Sequence, residues 1–214
     1  MSKNHEYNTF LNLLTPAERL AAPKELFYEG NFQLLLNSPK VSVVGSRLPT
    51  KEGSYVAEFV TQELVQRNIT VVSGLALGID TIAHTIALQG KTIAVLGTPL
   101  NIPTTLNNKD LLNEIKRNHL VISQFREGEK VLRSNFPIRN KTMALISTAT
   151  IIIEATENSG TQYQAWEALK LSRQVFLSEV LLEANVLWAK KILKHGATVI
   201  SAKNLESIFN SFIG

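Results

Sequence analysis

The sequence predicts an α/β fold, with a doubly wound, mainly parallel sheet and helices on both faces. Short apolar segments recur along most of the chain, and each is followed by residues at helical spacing, which is the pattern of successive β-α-β units. The apolar segments are nearly continuous rather than alternating, as expected of parallel strands that are buried on both sides. Two of them stop at glycine and polar residues just before a helical segment, which is typical of the ligand-binding loops of open sheets.

The pattern predicts seven strands and seven helices after residue 40. The strands are expected at 41–44, 69–73, 92–96, 120–123, 150–154, 174–177 and 197–200. The helices are expected at 53–67, 79–89, 108–117, 139–147, 161–172, 186–195 and 204–212. In the first helix, Val56, Phe59, Val60 and Leu64 recur at helical spacing, which predicts one buried stripe.

Residues 1–40 differ in texture from the rest, and we expect a short extension that packs on a main domain at 41–214. Pro16 begins a predicted short helix, because proline is favoured at the first helical position. Residues 26–30 predict a short strand that ends in a turn. The apolar residues at 32–36 are expected to pack on the main domain.

Composition limits the functional classes. The chain has 214 residues with 44% hydrophobic and 19% charged content, which is typical of a folded globular protein. The net charge of +4 permits a polyanionic partner without requiring one. The absence of cysteine excludes disulfides and thiolate metal sites, and no metal or cofactor is expected. No run reaches the roughly 20 apolar residues that span a bilayer, so we expect a cytoplasmic protein with no membrane partner.

The first candidate site follows the strand at 41–44, where Gly45, Ser46 and Arg47 precede a helix. Thr50 is a plausible N-cap, which places Lys51 and Arg47 at a helix N-terminus. The helix dipole disfavours cations there by roughly 0.3–1 kcal/mol, and an anionic ligand would reverse the sign. A phosphate would therefore suit this loop. The alternative is a solvated basic loop.

The second segment contains Ser73, Gly74 and Gly78, small residues that let the backbone approach a ligand closely. Asp80 is expected either to cap the following helix or to brace the loop. His84 lies one turn further on and is interpreted as a buried structural histidine rather than a general base. No nucleophilic constellation forms around Ser73, so no catalytic residue is assigned.

The third segment contains Pro137, a stiff entry to a helix whose first turn is predicted to carry Arg139, Asn140 and Lys141. Cations again lie where the helix dipole favours an anion. The alternative, a solvated helix start, is common. The recurrence of the arrangement in one chain favours a ligand site.

The fourth segment follows the strand at 150–154. Glu154 is expected either to bind a ligand hydroxyl or to pair with Arg139 as an internal brace, and the brace is favoured. Ser159, Gly160 and Thr161 open the next helix, which Ser159 or Thr161 is expected to cap.

Taken together, these segments resemble the DNA-processing protein A family (DprA, also called Smf). The resemblance extends over about residues 23–178. It is carried by five ordered segments at 41–47, 73–84, 92–97, 136–141 and 154–160.

The resemblance implies a Rossmann-like domain that binds single-stranded DNA in a basic pocket at the carboxyl ends of the strands. Members protect single strands during transformation, help to load the recombinase RecA, usually form homodimers and are not known as enzymes. Matched by motif, the pocket residues would be Gly45, Ser46, Arg47, Ser73, Gly74, Gly78, Arg139, Asn140 and Lys141. Further expected phosphate contacts are Lys51, Ser159 and Gly160, and the expected braces of the pocket are Asp80, His84 and Glu154.

The chain also departs from the family pattern, which suggests a divergent or shortened member. Lys141 stands where arginine is usual, and Thr98 to Asn101 replace a Gly-Leu-Asp segment. The alternative function is a Rossmann-like sensor of a nucleotide-derived ligand. Related phosphoribohydrolases carry paired glycines that residues 154–161 lack, which argues against hydrolysis. A third alternative is an interaction protein with a vestigial pocket.

Overall fold

The computed structural model describes residues 3–37, 39–102 and 105–211. The strands are β1 (Phe27–Gly30), β2 (Lys40–Val44), β3 (Thr70–Ser73), β4 (Thr92–Leu96), β5 (Leu120–Ser123), β6 (Ala149–Ile152), β7 (Gln174–Ser178) and β8 (Thr198–Ile200). The helices are α1 (Lys3–Leu13), α2 (Pro16–Ala21), α3 (Gln33–Leu36), α4 (Lys51–Gln66), α5 (Ile79–Ala87), α6 (Lys109–Asn118), α7 (Asn135–Ile146), α8 (Thr161–Lys170), α9 (Glu179–Glu183), α10 (Leu187–Lys194) and α11 (Leu205–Asn210).

The strands form one sheet in the order β1-β5-β4-β3-β2-β6-β7-β8. All neighbouring pairs are parallel except β1 with β5, which confirms the predicted mainly parallel sheet. From β2 the chain builds outward through β3, β4 and β5, and it then returns to place β6 on the other side of β2. The strand order therefore reverses between β2 and β6, and open α/β sheets bind ligands at the carboxyl ends of such strands.

Helices cover both faces of the sheet, as predicted. Val41 and Val43 of β2 pack with α4 and α5 on one face. Val44 of the same strand belongs to a second core cluster, on the other face, which contains Met143 of α7. This alternation follows from the pleat, because successive side chains of a strand point to opposite faces. Both faces are buried, which explains why the strands are apolar throughout.

Residues 3–37 share the sheet and the core with the rest of the chain. The predicted helix at Pro16 is confirmed, with a capping box between Thr15 and Glu18. The predicted strand is also confirmed as β1, which pairs antiparallel with β5 at the sheet edge. Tyr7 and Phe10 of α1 are buried in the same core cluster as Val44.

Helix ends differ from the predictions by a few residues. The largest difference is α7, which begins at Asn135 rather than at 139. Pro137 lies inside its first turn, where the missing N–H leaves no helical hydrogen bond unmade. Part of the predicted final helix, residue 212, lies outside the described residues. None of the helices that the structure describes is long and apolar enough to cross a lipid bilayer.

Candidate nucleic-acid interface

A cavity of about 480 Å³ opens at the carboxyl ends of β2 and β6, where the strand order reverses. This volume suits a ligand the size of one nucleotide. Among the residues predicted for the site, the lining includes Gly45, Ser46, Arg47, Asp80, Arg139, Asn140, Ser159 and Gly160. The other lining residues are Val44, Leu48, Ala76, Phe136, Met143, Thr156, Asn158, Thr161 and Gln164.

The loop after β2 requires glycine because it is packed tightly against the loop after β3. A Cβ at Gly45 would lie 2.7 Å from Cγ1 of Ile79. Gly78 has a φ of +77°, and a Cβ there would lie 2.3 Å from the carbonyl oxygen of Ser46. That same oxygen accepts a hydrogen bond of 3.1 Å from the Ile79 N–H. The loop after β3 therefore fixes the shape of the loop after β2. Its glycines, Gly74 and Gly78, do not line the cavity.

Arg47 is the exposed cation of the cavity. Its guanidinium carbon lies 5.9 Å from the centre of the Phe136 ring, a cation–π geometry. Among the described residues, no carboxylate lies within ion-pair distance of Arg47. Thr50 caps α4 as predicted, accepting the Gly53 N–H at 3.0 Å. Lys51 is exposed at the first position of α4 and is not a lining residue.

Arg139 lies at the inner end of the cavity and is compensated by Asp80. The two side chains are only 6% and 5% exposed. Nη1 of Arg139 donates to the Val95 carbonyl oxygen at 3.0 Å, whereas Nε has no hydrogen-bond partner among the described residues. A Cβ at Gly74 would lie 1.5 Å from Nη1, so the guanidinium occupies the space that this glycine leaves.

Burial controls the electrostatics of this pair. Burial lowers the pKa of Arg139, and the Asp80 carboxylate opposes that effect. Burial raises the pKa of Asp80, against the lowering effects of Arg139 and of the Ala76 N–H. Asp80 Oδ2 accepts from that N–H at 3.3 Å, so it braces the loop rather than capping α5. The positive charge of Arg139 is thus partly offset by Asp80 inside the protein.

One face of α7 forms a wall of the cavity. Phe136, Arg139, Asn140 and Met143 are spaced at i, i+3, i+4 and i+7, and all four are lining residues. Asn140 Nδ2 also donates to the Gly160 carbonyl oxygen at 3.1 Å. Lys141 is exposed and does not line the cavity, because it lies about 200° around the helix from Arg139. Helical spacing alone would have identified Phe136 and Met143.

The predicted pairing of Glu154 with Arg139 is wrong. The Glu154 carboxylate accepts hydrogen bonds from the Thr50 N–H at 3.0 Å and from the Thr50 hydroxyl at 2.8 Å. The sheet order is the reason, since β6 lies beside β2 and its end faces the start of α4. Gly53 makes room for the carboxylate, because a Cβ there would lie 2.0 Å from Oε2. Glu154 therefore braces the loop that carries Arg47.

Two polar residues that were considered for chemistry are fully buried. Ser73 Oγ donates to the Val43 carbonyl oxygen at 2.7 Å. His84 Nδ1 lies 2.8 Å from the Thr92 hydroxyl, and burial lowers the pKa of His84 to about 3. The imidazole is therefore neutral near pH 7 and lies in the core, where a structural histidine is expected. Neither residue lines the cavity.

The loop after β6, residues 153–160, forms another wall of the cavity. Ser159 Oγ accepts the N–H of Thr161, the first residue of α8, at 3.3 Å and lies 2.9 Å from the Thr161 hydroxyl. Thr156, Asn158 and Gln164 also line the cavity, and no sequence signal distinguished them. Among the described residues, no group of three or more His, Cys, Asp or Glu side chains is placed to hold a metal ion.

A doubly wound sheet with a switch-point cavity, glycine-bearing loops and an exposed arginine defines a Rossmann-like protein with a candidate anion-binding site. The family model described as DNA recombination-mediator protein A matches residues 2–212, and this chain belongs to that family.

Relatives and solved structures agree with this assignment. The DNA processing protein DprA of Streptococcus pneumoniae is 45% identical over 157 residues, which cover 72% of this chain and 55% of that protein. Its X-ray structure has a TM-score of 0.79 and 38% identity, with 92% of this chain and 69% of the other covered. A structure of DNA processing protein A from Helicobacter pylori, which concerns its single-stranded DNA binding mode, has a TM-score of 0.82 at 26% identity and covers 93% and 94%. The chain spans about half the length of the curated relatives it matches.

Proposed function

We propose that this chain binds single-stranded DNA at the switch-point cavity. The observation that carries the proposal is Arg47, an exposed guanidinium without a carboxylate partner among the described residues, at the mouth of a cavity lined by glycine-bearing loops. Family membership supports the ligand, as does the Helicobacter pylori relative, whose structure concerns single-stranded DNA binding.

In this proposal the phosphates lie against the loop after β2. The backbone of Gly45 and Ser46 and the guanidinium of Arg47 meet the phosphate oxygens, which favours binding without selecting a sequence. The ring of Phe136 holds Arg47 at the mouth before DNA arrives, so less side-chain entropy is lost on binding.

We propose binding rather than catalysis. The hydroxyl of Ser73 and the imidazole of His84 are engaged by other residues in the core, and His84 stays neutral near pH 7. Neither can activate a nucleophile in the cavity. Arg139 and Asp80 are likewise bonded to the backbone, and their opposite charges interact within the protein.

The wider role that we propose follows the family description as a recombination mediator. The chain protects single strands in the cytoplasm and helps to load a RecA-type recombinase onto them, acting as a homodimer. Analytical ultracentrifugation with and without oligo-dT tests the dimer. Recombinase loading is tested by assembly of RecA filaments on strands coated with single-strand binding protein.

The test of DNA binding is a salt series with labelled oligo-dT. For single strands, log K falls with log[salt] by about 0.7 for each phosphate contacted. Arg47→Ala should weaken binding and reduce that slope by about 0.7, because one phosphate contact is lost. Duplex DNA of the same length is the control and should bind more weakly. Absence of oligo-dT binding at low salt, or an unchanged Arg47→Ala variant, would contradict the proposal.

A second candidate is a sensor of a nucleotide-derived ligand, which the cavity volume of about 480 Å³ favours because it suits a single nucleotide. A panel of nucleotides tested for thermal stabilisation distinguishes the two functions. A ligand at 100 times its Kd stabilises the folded state by about 2.7 kcal/mol. Stabilisation by a mononucleotide without oligo-dT binding would favour the sensor.

A further inference from the structure

One wall of the cavity is an irregular loop, and its position depends on the hydrogen bonds that hold it. This cavity loop, residues 153–160, contributes four lining residues at Thr156, Asn158, Ser159 and Gly160. Irregular loops at binding sites are commonly among the least stable parts of a fold. Hydrogen bonds to neighbouring elements therefore decide where this wall lies.

Two of these bonds attach the ends of the cavity loop to the binding side of the molecule. Glu154 accepts from Thr50 at the start of α4, and Gly160 accepts from Asn140 of α7. The two donors, Thr50 and Asn140, lie beside the cavity itself. Neither bond fixes the middle of the cavity loop.

The middle of the cavity loop is held by α10, a helix that contributes no lining residue. Glu157 Oε2 accepts the N–H of Leu187, the first residue of α10, at 2.8 Å. The N-cap residue of that helix, Val186, makes no side-chain capping bond, so Glu157 supplies the cap from 30 residues away. A carboxylate is favoured at this position by the helix dipole.

The neighbouring residue of the loop is fixed by the same helix. The indole Nε1 of Trp188 donates to the Thr156 carbonyl oxygen at 3.1 Å. Trp188 is only 4% exposed, so its ring is held by the core and its N–H points in one direction. Consecutive loop residues thus bond to consecutive residues of α10.

We propose that Glu157 and Trp188 are positioning residues, through which α10 sets the cavity wall in its DNA-binding position. The inference rests on the proposed function. Neither residue lines the cavity, so they act only through Thr156 and the loop residues that follow it. A wall that is placed before the ligand arrives lowers the entropy lost on binding.

The first test uses Trp188→Phe, which removes the indole N–H and keeps an aromatic ring in the core. Oligo-dT affinity should fall about fivefold, the effect of one hydrogen bond. The salt slope should stay unchanged, because no cation is removed, whereas Arg47→Ala lowers it. A role limited to general stability would not produce this combination.

The matched control is Asn204→Ala in the same C-terminal part of the chain. Asn204 Nδ2 donates to the Val199 carbonyl oxygen at 2.8 Å, and its Oδ1 accepts the Ser201 N–H at 2.9 Å. The variant therefore loses two hydrogen bonds without touching the cavity loop. It should lower the melting temperature and leave oligo-dT affinity within twofold of the natural chain.

A second pair of variants keeps the proposal testable if Trp188→Phe folds poorly. Glu157→Ala should weaken oligo-dT binding, whereas Glu157→Gln should retain most of it, because its amide oxygen still accepts the Leu187 N–H. Affinities equal to the natural chain for Trp188→Phe and Glu157→Ala would overturn the inference. Equal losses in Asn204→Ala would also overturn it. A natural chain that does not bind oligo-dT would instead overturn the proposed function.

Discussion

Two clusters of charged side chains, one at each end of the parallel strands, have different surroundings. The first contains Arg47, Arg139 and Asp80 at the carboxyl ends, and the second contains Lys40, Arg173 and Glu18 at the amino ends. What differs is whether the protein itself covers the cluster.

At the amino ends, the chain closes the cluster. Glu18 of α2 pairs with Arg173, and its second carboxylate oxygen accepts the Thr15 N–H at 2.8 Å. Burial by itself raises the pKa of Glu18, but these hydrogen bonds outweigh it and the pKa lies below its usual value. Lys40 is only 6% exposed, and its ammonium donates to the Asn37 carbonyl oxygen.

At the carboxyl ends, the corresponding position is open. Asp80 compensates the buried Arg139, while Arg47 remains exposed over the Phe136 ring. The comparison shows that a basic cluster in this fold becomes structural when a helix covers it and becomes a candidate ligand site when a cavity remains. Variants at the two ends should therefore change different properties.

The largest effect is expected for Arg139→Met. The substitution removes the charged hydrogen bond to the Val95 carbonyl oxygen, which contributes about 1.5–3 kcal/mol, and also the positive charge that favours the buried Asp80 carboxylate. Arg173→Met should cost less, because Glu18 keeps its bonds to Thr15 and is nearer the surface. Urea unfolding of both variants measures the difference in the free energy of unfolding.

A second substitution is the control for this interpretation. Adding Asp80→Asn to Arg139→Met removes the orphaned charge and should recover part of the lost stability. If Arg139→Met lowers the free energy of unfolding no more than Arg173→Met does, the buried charges of Arg139 and Asp80 do not matter more for stability than those of Arg173 and Glu18.

The next effect is expected for Gly78→Ala, which tests the packing of the two glycine loops. The residue has a φ of +77°, and its Cβ would collide with the Ser46 carbonyl oxygen. Strain of this kind costs about 1–3 kcal/mol, and displacement of the Ser46 loop should also weaken oligo-dT binding. Gly196→Ala is the matched control, because its φ is +107° with no atom within 4 Å of the added Cβ. It should lower stability alone, and equal DNA affinities of the two variants would contradict the packing argument.

At the amino ends, one substitution is expected to raise the free energy of unfolding rather than lower it, and by a smaller amount. Burial, together with Arg173, lowers the pKa of Lys40 to about 8 from 10.5. Between these values the unfolded chain binds more protons than the folded chain, so this group makes the free energy of unfolding rise with pH from about 8 to 10.5. Lys40→Met should remove that dependence and raise stability at pH 7 by about 1–2 kcal/mol.

The measurement is urea unfolding of the natural chain and Lys40→Met at pH 7, 8.5 and 9.5. Oligo-dT affinity at pH 7 should not change, because Lys40 lies at the end of the sheet away from the cavity. Loss of DNA binding in this variant would show that the amino-end cluster is not purely structural.

Much of the fold was predictable from the sequence because its signals are local. A buried parallel strand is a short apolar run, and its end is marked by glycine and polar residues, as at Gly45 and Gly74. Residues 41–44 and 120–123 matched observed strand positions closely for this reason. Helix ends were less accurate, since Pro137 is compatible with a position either before a helix or inside its first turn.

The site was only partly predictable, since its contacts depend on the strand order. Glu154 bonds to Thr50, 104 positions away, only because β6 returns to lie beside β2. No spacing in the sequence encodes that neighbourhood. The burial of Arg139 and the exposure of Lys141 were predictable, because side chains two positions apart in a helix point in directions about 200° apart.

The smallest effect is expected for exposed cations that lie outside the cavity. Lys51 and Lys141 do not line the cavity, so Lys51→Ala and Lys141→Ala should each weaken oligo-dT binding by less than about twofold at physiological salt, where exposed charges are screened beyond roughly 8 Å. Arg47→Ala, measured by fluorescence anisotropy in the same buffer, should have a larger effect. If Lys141→Ala weakened oligo-dT binding as much as Arg47→Ala, the DNA would cross the exposed side of α7. The presence of an open cavity would then no longer explain why one end of the sheet binds DNA and the other does not.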